Sequence, residues 1–205
     1  MIPPERPGGI FLMTHSILDA AYWSNRYLQQ KTGWDIGYSS TPLQQFMNSI
    51  IDKDISILIP GCGNAYEAEY LLKEKFTDIT LLDISPVLTV ELNKKFKEQS
   101  IKIITADFFE HEGQYDLILE QTFFCALDPL HRESYIKQMH QLLKPGGRLA
   151  GVLFNKSFEG GPPFGGSKEE YEQLFSKFFS IKKMELCYNS IQPRSGTELF
   201  FILEK

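Results

Sequence analysis

Two glycines and an aspartate stand at a spacing that suits the binding of a nucleoside. Gly61 and Gly63 directly follow the apolar stretch 55–60, and Asp83 closes a second apolar stretch further on. Glycines allow a tight turn to bring backbone N–H groups close to a ligand, and a carboxylate at the next strand end can accept hydrogen bonds from both hydroxyls of a ribose. The pattern predicts a strand–turn–helix–strand unit that grips a nucleoside.

The turn departs from the dinucleotide-binding fingerprint G-x-G-x-x-G, because position 66 is Tyr. S-adenosylmethionine (SAM) has no pyrophosphate and therefore less need of the third glycine. The order strand–turn–helix–strand–acid thus favours SAM over NAD. Gly61-x-Gly63 is weak evidence by itself, since the same pattern arises by chance in turns that bind nothing.

The third and fourth predicted strands also end in polar residues: Asp107 follows the third, and the pair Glu120–Gln121 ends the fourth. In an open α/β sheet, ligands bind outside the carboxyl ends of the strands. Asp107 is therefore expected near an adenine amino group, with Phe108 covering the ring. The alternatives are structural: Asp107 could cap a helix or turn, and Asp83 could cap the helix that follows it.

Both tryptophans of the chain, Trp23 and Trp34, lie with Tyr27 in the segment that precedes the predicted sheet. Aromatic faces attract a positively charged sulfur, so these rings could form a lid over a sulfonium cofactor. A lid would also exclude water from the reacting groups. The alternative is that the rings only attach the N-terminal helix to the body.

Composition limits the class of protein. The chain has 205 residues with a net charge of −5, which is typical of one globular domain and argues against a nucleic-acid surface. Its three cysteines, Cys62, Cys125 and Cys187, show neither metal-ligand nor disulfide spacing. No apolar run approaches the roughly 20 residues of a membrane span, and no signal peptide is recognisable. We expect a cytoplasmic monomer without a metal, in which Cys125 is a buried thiol rather than a nucleophile.

From residue 51 onward, short apolar strands alternate with helices, which predicts a parallel sheet covered on both faces. Strands are predicted at 55–60, 79–83, 101–105, 115–120, 147–154, 180–188 and 197–204. Helices are predicted at 16–30, 42–50, 65–75, 86–98, 131–143 and 168–177, the first with Ser16 as its N-cap. We expect one domain over 1–205, with an N-terminal helical cap (1–50) and a Rossmann-like core (51–205). Its sheet should be seven-stranded and mostly parallel, and should end in an antiparallel hairpin.

Six strings in the chain resemble the thiopurine S-methyltransferase-like superfamily of class I SAM-dependent methyltransferases, and within it the halide/thiol methyltransferase branch. They are Trp34-Asp-Ile-Gly37 with Pro42, Leu58-Ile-Pro-Gly-Cys-Gly63, Leu82-Asp-Ile-Ser85, Phe123-Phe-Cys-Ala126, Leu142-Leu-Lys-Pro-Gly-Gly147 and Gly160-Gly-Pro-Pro-Phe164. The first, fourth and last are the more specific to the branch.

The resemblance implies a set of SAM-binding residues. In that set the cap residues contact SAM, Gly61 approaches its methionine part, Asp83 its ribose, and Asp107 with Phe108 its adenine. Gln121 falls where the branch often has an aromatic residue, and Tyr27 where it often has Trp. The full set is Trp23, Tyr27, Trp34, Gly61, Gly63, Asp83, Ile84, Asp107, Phe108 and Gln121.

The resemblance further implies acceptor-side residues, namely Phe124, Pro163 in the 160–164 loop, and Arg194, which could hold an anionic nucleophile or be a surface arginine of a hairpin. The expected reaction is direct transfer of the SAM methyl group to a small soft nucleophile such as a thiolate, thiocyanate or halide. The alternatives are an oxygen, nitrogen or metalloid acceptor, and a SAM-binding module without turnover. An NAD-dependent oxidoreductase is a more distant alternative.

Overall fold

The computed structural model describes residues 18–205, so Ser16, the expected N-cap, lies outside the described residues. The helices are α1 (Ala20–Leu28), α2 (Thr41–Asn48), α3 (Tyr66–Lys73), α4 (Pro86–Lys95), α5 (Arg132–Leu142) and α6 (Lys168–Phe175). The strands are β1 (Ser56–Pro60), β2 (Asp78–Asp83), β3 (Ile101–Thr105), β4 (Tyr115–Gln121), β5 (Leu143–Phe154), β6 (Ser180–Leu186) and β7 (Glu198–Glu204).

The strands form one seven-stranded sheet in the order β3-β2-β1-β4-β5-β7-β6. Neighbouring strands from β3 to β5 run parallel, whereas β7 is antiparallel to both β5 and β6. The predicted mostly parallel sheet with a C-terminal antiparallel hairpin is therefore confirmed. Because β7 is antiparallel to both neighbours, β6 runs in the same direction as β5. The turn that joins β6 to β7 therefore lies at the carboxyl end of the parallel strands.

Local sequence explains where the helices begin. Helix α4 starts with proline at its first position, and the Ser85 hydroxyl caps it by accepting a hydrogen bond from the Leu88 N–H at 3.3 Å. Asp83 is therefore not the N-cap of this helix. Helix α1 begins at Ala20 and is capped by Asp19, whose carboxylate accepts from the Tyr22 N–H at 2.8 Å.

Strand β5 begins earlier than predicted. Helix α5 ends at Leu142, and the next residue, Leu143, already pairs with Tyr115 of β4. The strand was predicted at 147–154, and residues 143–146 belong to it as well.

The hydrophobic core has two layers, one on each face of the sheet. One layer packs α5 and α6 with Tyr135, Tyr171 and Phe175, and the other packs α2 and α3 with Met47 and Leu71. Burying such side chains contributes about 1.5–3 kcal/mol each, so both layers hold the strand ends in fixed positions.

The cap rests on the core through a buried hydroxyl pair. The Ser24 hydroxyl of α1 lies 3.0 Å from the Ser85 hydroxyl, and both side chains are buried. Helix α1 is thus hydrogen-bonded to the serine that caps α4. Within residues 18–205, no helix has the length and apolar character that a bilayer crossing requires.

Candidate active site

A cavity of about 1000 Å³ opens at the carboxyl end of the parallel strands, between the cap and the strand ends. Its walls come from α1, the loop 33–38, the turn 60–64, the ends of β2 and β4, and the loops 154–163 and 193–197. Of the ten residues predicted to bind the cofactor, all line this cavity, namely Trp23, Tyr27, Trp34, Gly61, Gly63, Asp83, Ile84, Asp107, Phe108 and Gln121.

The turn after β1 can be made only with glycine at its first position. Gly61 has φ +56°, and a Cβ built on it would lie 2.2 Å from Cδ2 of Phe123. Gly63 has φ +52°, and its Cβ would meet the Tyr27 hydroxyl at 3.5 Å, an ordinary contact. The backbone of the turn therefore packs directly against the Phe123 ring.

Asp83 is a buried acid of the cavity wall, with 8% of its surface exposed. Its Oδ1 accepts a hydrogen bond from the Ser85 N–H at 2.9 Å, and its Oδ2 accepts from the Gly63 N–H at 3.3 Å. Burial raises the pKa of Asp83 to about 6, although these backbone donors favour the charged form. A carboxylate can accept about four hydrogen bonds, so Asp83 keeps acceptor capacity for a ligand in the cavity.

Asp107 has the capping role that was the structural alternative for it. Its Oδ1 accepts from the Phe109 N–H at 2.9 Å and begins the short 3-10 helix Phe108–Glu110. Phe108 is buried, and its ring meets that of Phe123 edge-on at 5.1 Å. Asp107 also lines the cavity, so the capping bond and a contact with a ligand are compatible.

Gln121, at the end of β4, lines the cavity and has an unpartnered acceptor. Its Oε1 is buried and has no hydrogen-bond partner among the described residues. The next residue, Thr122, has φ +61°, which is unusual for a β-branched side chain. Buried polar atoms are nearly always hydrogen-bonded, so this oxygen is suited to an N–H or O–H donor of a ligand.

The three cap aromatics form one cluster over the cavity. The Trp34 ring meets Trp23 edge-on at 5.4 Å and Tyr27 at 5.9 Å, and the Arg26 guanidinium lies 5.5 Å from the Trp34 ring centroid. Burial, with Asp83 as a further cause, raises the pKa of Tyr27 well above its usual range. The cluster is therefore an uncharged aromatic wall, and the Arg26 cation beside it also lines the cavity.

Polar contacts fix the cap loop to the G-x-G turn, and the sequence analysis missed them. Asp35 Oδ2 accepts from Asn64 Nδ2 at 2.5 Å and from the Tyr66 hydroxyl at 3.2 Å. Glu67, which is buried, accepts from the Ser40 N–H at 3.0 Å. Asp35 is part of the Trp-Asp-Ile-Gly string, which was the only sequence signal for these contacts.

Arg194 is a half-buried residue of the cavity wall rather than a surface residue, with 12% of its side chain exposed. Its Nη1 lies 3.2 Å from Oε1 of Glu198, whose side chain is 4% exposed, and its Nη2 donates to the Trp34 carbonyl at 2.8 Å. The guanidinium also lies 5.2 Å from the Phe154 ring centroid. Arg194 thus joins the C-terminal hairpin to the cap, and Glu198 neutralises its charge.

The structure places Phe124 in the core instead of the cavity wall. Its side chain is fully buried, 5.0 Å from Tyr135 and 5.6 Å from Tyr171 between ring centroids. We therefore no longer expect Phe124 to touch an acceptor, and the neighbouring Phe123 lines the cavity in its place. Pro163 lines the cavity, and its contact with an acceptor stays a prediction.

The acceptor side of the cavity also contains a cation that the sequence analysis did not consider. Lys156, in the loop after β5, lines the cavity, and its Nζ lies 4.6 Å from the Phe158 ring centroid. Among the described residues no carboxylate forms an ion pair with it. Lys156 is an exposed residue, and Phe158, Pro162 and Pro163 line the same cavity.

A mostly parallel sheet with a reversed seventh strand, and a cavity where glycines and an acid meet at its carboxyl end, define a class I methyltransferase. A solved structure with this fold is the 1,6-didemethyltoxoflavin-N1-methyltransferase of Burkholderia thailandensis with bound S-adenosylhomocysteine. It matches with a TM-score of 0.74 at 16% identity over 91% of this chain and 86% of that one.

The model of the thiopurine S-methyltransferase family matches residues 18–200, and the chain belongs to that family. It is 30% identical over 187 residues to a probable thiol methyltransferase 2 of Arabidopsis thaliana, covering 86% of this chain and 81% of the relative. It is 27% identical over 208 residues to thiocyanate methyltransferase 1 of the same plant, covering 97% and 89%.

Family membership confirms the resemblance stated from the sequence, and with it the enzyme class and the cofactor. The chain is a SAM-dependent methyltransferase. The alternative of an NAD-dependent oxidoreductase finds no support in the family or in the relatives.

Proposed function

We propose that this methyltransferase transfers the methyl group of SAM to a small soft nucleophile, a thiolate, thiocyanate or halide. The observation that carries the proposal is the acceptor side of the cavity, where an exposed ammonium, without an ion-pair partner among the described residues, lies over the Phe158 ring in a wall that also contains Pro162 and Pro163. A weakly hydrated, polarisable anion suits such surroundings, because it loses little hydration there and gains the attraction of the ammonium. The relatives named as thiol and thiocyanate methyltransferases support the same acceptor class.

The residues of the cavity fit SAM. We propose that Asp83 accepts hydrogen bonds from the ribose hydroxyls, and that Asp107 and Phe108 hold the adenine. We propose that the Gln121 side chain, whose Oε1 has no partner among the described residues, accepts a further hydrogen bond from the ligand. Gly61 lets the turn pack against the Phe123 ring, which any Cβ would prevent, and this packing holds the turn in the cavity wall. When bound, SAM supplies an electrophilic methyl group on a positively charged sulfur.

The chain's own contribution is orientation and the exclusion of water. We propose that the cluster of Trp23, Tyr27 and Trp34 turns aromatic faces toward the sulfonium and closes the site against solvent. Holding two reactants in line contributes on the order of 7–11 kcal/mol to lowering a barrier. A thiolate, thiocyanate or halide has no proton to lose, so this mechanism needs no general base.

Arg194 and Lys156 have different roles in this proposal. The Arg194 guanidinium is engaged by Glu198 and the Trp34 carbonyl, so we propose that it holds the cap loop in place beside the acceptor. Lys156 is the cation that we expect to attract an anionic acceptor. Pro163 contributes to the apolar surface against which that acceptor packs.

The test is an acceptor panel with purified protein. Iodide, thiocyanate, bisulfide and an aromatic thiol are compared with a catechol, an amine and tellurite, and the methylated product and S-adenosylhomocysteine are both measured. We expect transfer to the first four. Turnover confined to oxygen, nitrogen or metalloid acceptors would overturn the proposal, and SAM binding without any turnover would support a binding module.

A variant pair isolates the role of Lys156. Lys156→Met should raise the KM for thiocyanate several-fold and leave the KM for SAM unchanged, whereas Lys156→Arg should retain most of the wild-type value. An uncharged thiol, measured at a pH where it is protonated, should respond much less. Equal effects on charged and uncharged acceptors would show that Lys156 acts by packing alone.

We also propose that the acceptor is a free small molecule and that the protein acts as a cytoplasmic monomer without a nucleic-acid partner. The net charge of −5 and the three free, buried cysteines support this. Light scattering coupled to size exclusion would measure the oligomeric state, and fractionation of cells would measure the location.

A further inference from the structure

Glu120 is a carboxyl group buried without a cation. It lies at the end of β4, is fully inaccessible to solvent, and is absent from the cavity wall. Its Oε1 accepts from the Phe124 N–H at 2.9 Å, while its Oε2 has no hydrogen-bond partner among the described residues. An ionised carboxylate in such a place is costly, because nothing replaces the water that it lost.

The cations nearest to this region already have partners. The guanidinium of Arg132 on α5 contacts Glu170 through Nη1, donates to the Gly165 carbonyl at 2.7 Å through Nη2, and lies 4.9 Å from the Phe124 ring centroid. Arg194 is paired with Glu198 of β7. Neither neutralises Glu120.

The other titratable groups around Glu120 remain uncharged over the ordinary pH range. Cys125 follows in the next turn, Tyr135 faces it from α5, and Tyr171 faces it from α6. Burial raises the pKa of each above its usual range, and Glu120 is a further cause for all three. For Glu120 itself, burial raises the pKa to about 8, against the effect of the backbone N–H donors of Phe124 and Phe123. At neutral pH this acid is therefore mostly protonated.

The 122–126 turn, to which Glu120 is hydrogen-bonded, contributes to the cofactor side and to the acceptor side of the active site. Thr122, in the left-handed region, begins the turn, and Phe123 follows with its ring against Gly61 and Phe108. The next residues form the short 3-10 helix Phe124–Ala126. The Cys125 carbonyl in that helix accepts from the N–H of Phe164 in the acceptor-side loop, at 2.6 Å.

We propose that Glu120, as an uncharged carboxylic acid, is a positioning residue that fixes the 122–126 turn and thereby the shape of the SAM pocket at Phe123 and Gly61. It touches neither substrate and acts through the backbone N–H groups that it accepts from. Ionisation of Glu120 places a bare charge in the core and loosens the turn, so SAM binding weakens at alkaline pH. The inference concerns the cofactor side of the site and does not depend on which acceptor is methylated.

The test is calorimetric titration of the apo protein with SAM and S-adenosylhomocysteine between pH 6.5 and 9, with two substitutions. Glu120→Gln keeps an acceptor oxygen without an acid, and its dissociation constant at pH 7 should stay within about threefold of wild type. Glu120→Leu cannot accept the N–H groups, and should weaken binding at least tenfold in protein that circular dichroism shows to be folded. Ile118→Ala, on the same face of β4, is the matched control: it should lower stability and leave the dissociation constant unchanged.

The pH dependence distinguishes positioning from simple support of the fold. Above pH 8 the wild-type dissociation constant should rise relative to that of Glu120→Gln, and the ionisation of SAM cancels because both proteins bind the same ligand. In the absence of ligand, the denaturation midpoint of wild type should fall more steeply between pH 6 and 8 than that of Glu120→Gln. The sign follows because a raised folded-state pKa means that the native state holds the extra proton in this window.

Each opposing result has a definite meaning. Parallel pH profiles for wild type and Glu120→Gln overturn the inference, and this comparison stands even if Glu120→Leu does not fold. Loss of binding in Glu120→Gln would show that the charge itself is required. An Ile118→Ala protein that binds SAM as poorly as Glu120→Leu would show a general effect of destabilisation.

Discussion

The acids at the two ends of the parallel sheet have pKa values that are shifted in opposite directions. At the amino end, Asp116 Oδ2 accepts from the Ser56 N–H at 2.9 Å, from the Ser56 hydroxyl at 2.7 Å and from Lys144 Nζ at 2.8 Å. Partial burial opposes ionisation there, but these donors outweigh it and lower the pKa of Asp116 to about 2. At the carboxyl end, burial dominates and raises the pKa of Asp83 to about 6. One acid is satisfied within the protein, and the other is left with acceptor capacity.

The difference has a cost in stability at the carboxyl end. A pKa raised from 3.8 to about 6 corresponds to about 3 kcal/mol of lost stability at neutral pH. The unpartnered oxygen of Gln121 and the left-handed Thr122 add to this cost at the same end. The comparison teaches that the active site is the less stable end of the sheet, and that a ligand with suitable donors would recover part of that stability.

The largest contrast should come from adding one methyl group at each end. Gly61→Ala combines a left-handed φ with overlap of the Phe123 ring, whereas Gly146→Ala, at the amino end with φ +76°, meets no atom within 4 Å. We expect Gly61→Ala to cost about 3–5 kcal/mol and to weaken SAM binding, and Gly146→Ala to cost about 1–2 kcal/mol. Urea denaturation measures both. Equal losses would mean that the Phe123 ring moves aside without cost.

The next contrast removes one acid from each end. Asp83→Ala should weaken SAM binding by about 1.5–3 kcal/mol, roughly tenfold to a hundredfold, because charge-assisted hydrogen bonds are lost. Asp116→Asn should leave the SAM dissociation constant unchanged and lower stability by up to about 1 kcal/mol, since that pair is partly exposed. Calorimetry and denaturation of both variants provide the readouts. An unchanged dissociation constant for Asp83→Ala would refute the assignment of the ribose to this carboxylate.

The smallest contrast appears in the pH dependence. Below about pH 6 Asp83 becomes protonated, so the SAM dissociation constant should rise by up to about tenfold per pH unit. Stability responds in the opposite sense: because its folded-state pKa is raised, the contribution of Asp83 to stability increases as pH falls from about 6 toward 3.8. Asp116, with a lowered pKa, loses its contribution only below about 3.8. SAM binding that weakens at pH 5 while the fold remains stable would show that Asp83, and not Asp116, causes the change in binding. In the control Asp83→Asn, the SAM dissociation constant should not change with pH.

Sequence reasoning predicted the parallel half of the fold well, because its signals are local. Each strand is a short apolar run followed by a turn, and Ser85 with Pro86 marks a helix start directly. The position of β7 between β5 and β6 could not be read in this way, since strand order depends on long-range packing. The early start of β5 at Leu143 likewise depends on its pairing with Tyr115 of β4.

In the site, prediction succeeded at the strand ends and failed where contacts come from distant segments. Phe123 and Phe124 are adjacent, and only the short helix after β4 decides which of them faces the cavity. Arg194 was predicted on the acceptor side, with a surface arginine of the hairpin as the alternative, and its partners at Glu198 and Trp34 come from segments that the sequence pattern does not connect. The sequence placed Glu120 with Gln121 at the ligand-binding end of β4, whereas the structure buries it away from the cavity; the pattern could not show this, because an acid at the end of a strand ordinarily faces water.

The reversed strand β7 has a consequence for how this enzyme can diverge. The segment 187–197 joins β6 to β7, the two strands at one edge of the sheet. It brings Arg194 to the acceptor side of the cavity. A change in its length or sequence alters one wall of the cavity and leaves the register of the five parallel strands untouched. Arg194 ties this segment to the Trp34 carbonyl of the cap, so the acceptor wall can evolve, or be engineered, apart from cofactor binding where Arg194 is kept.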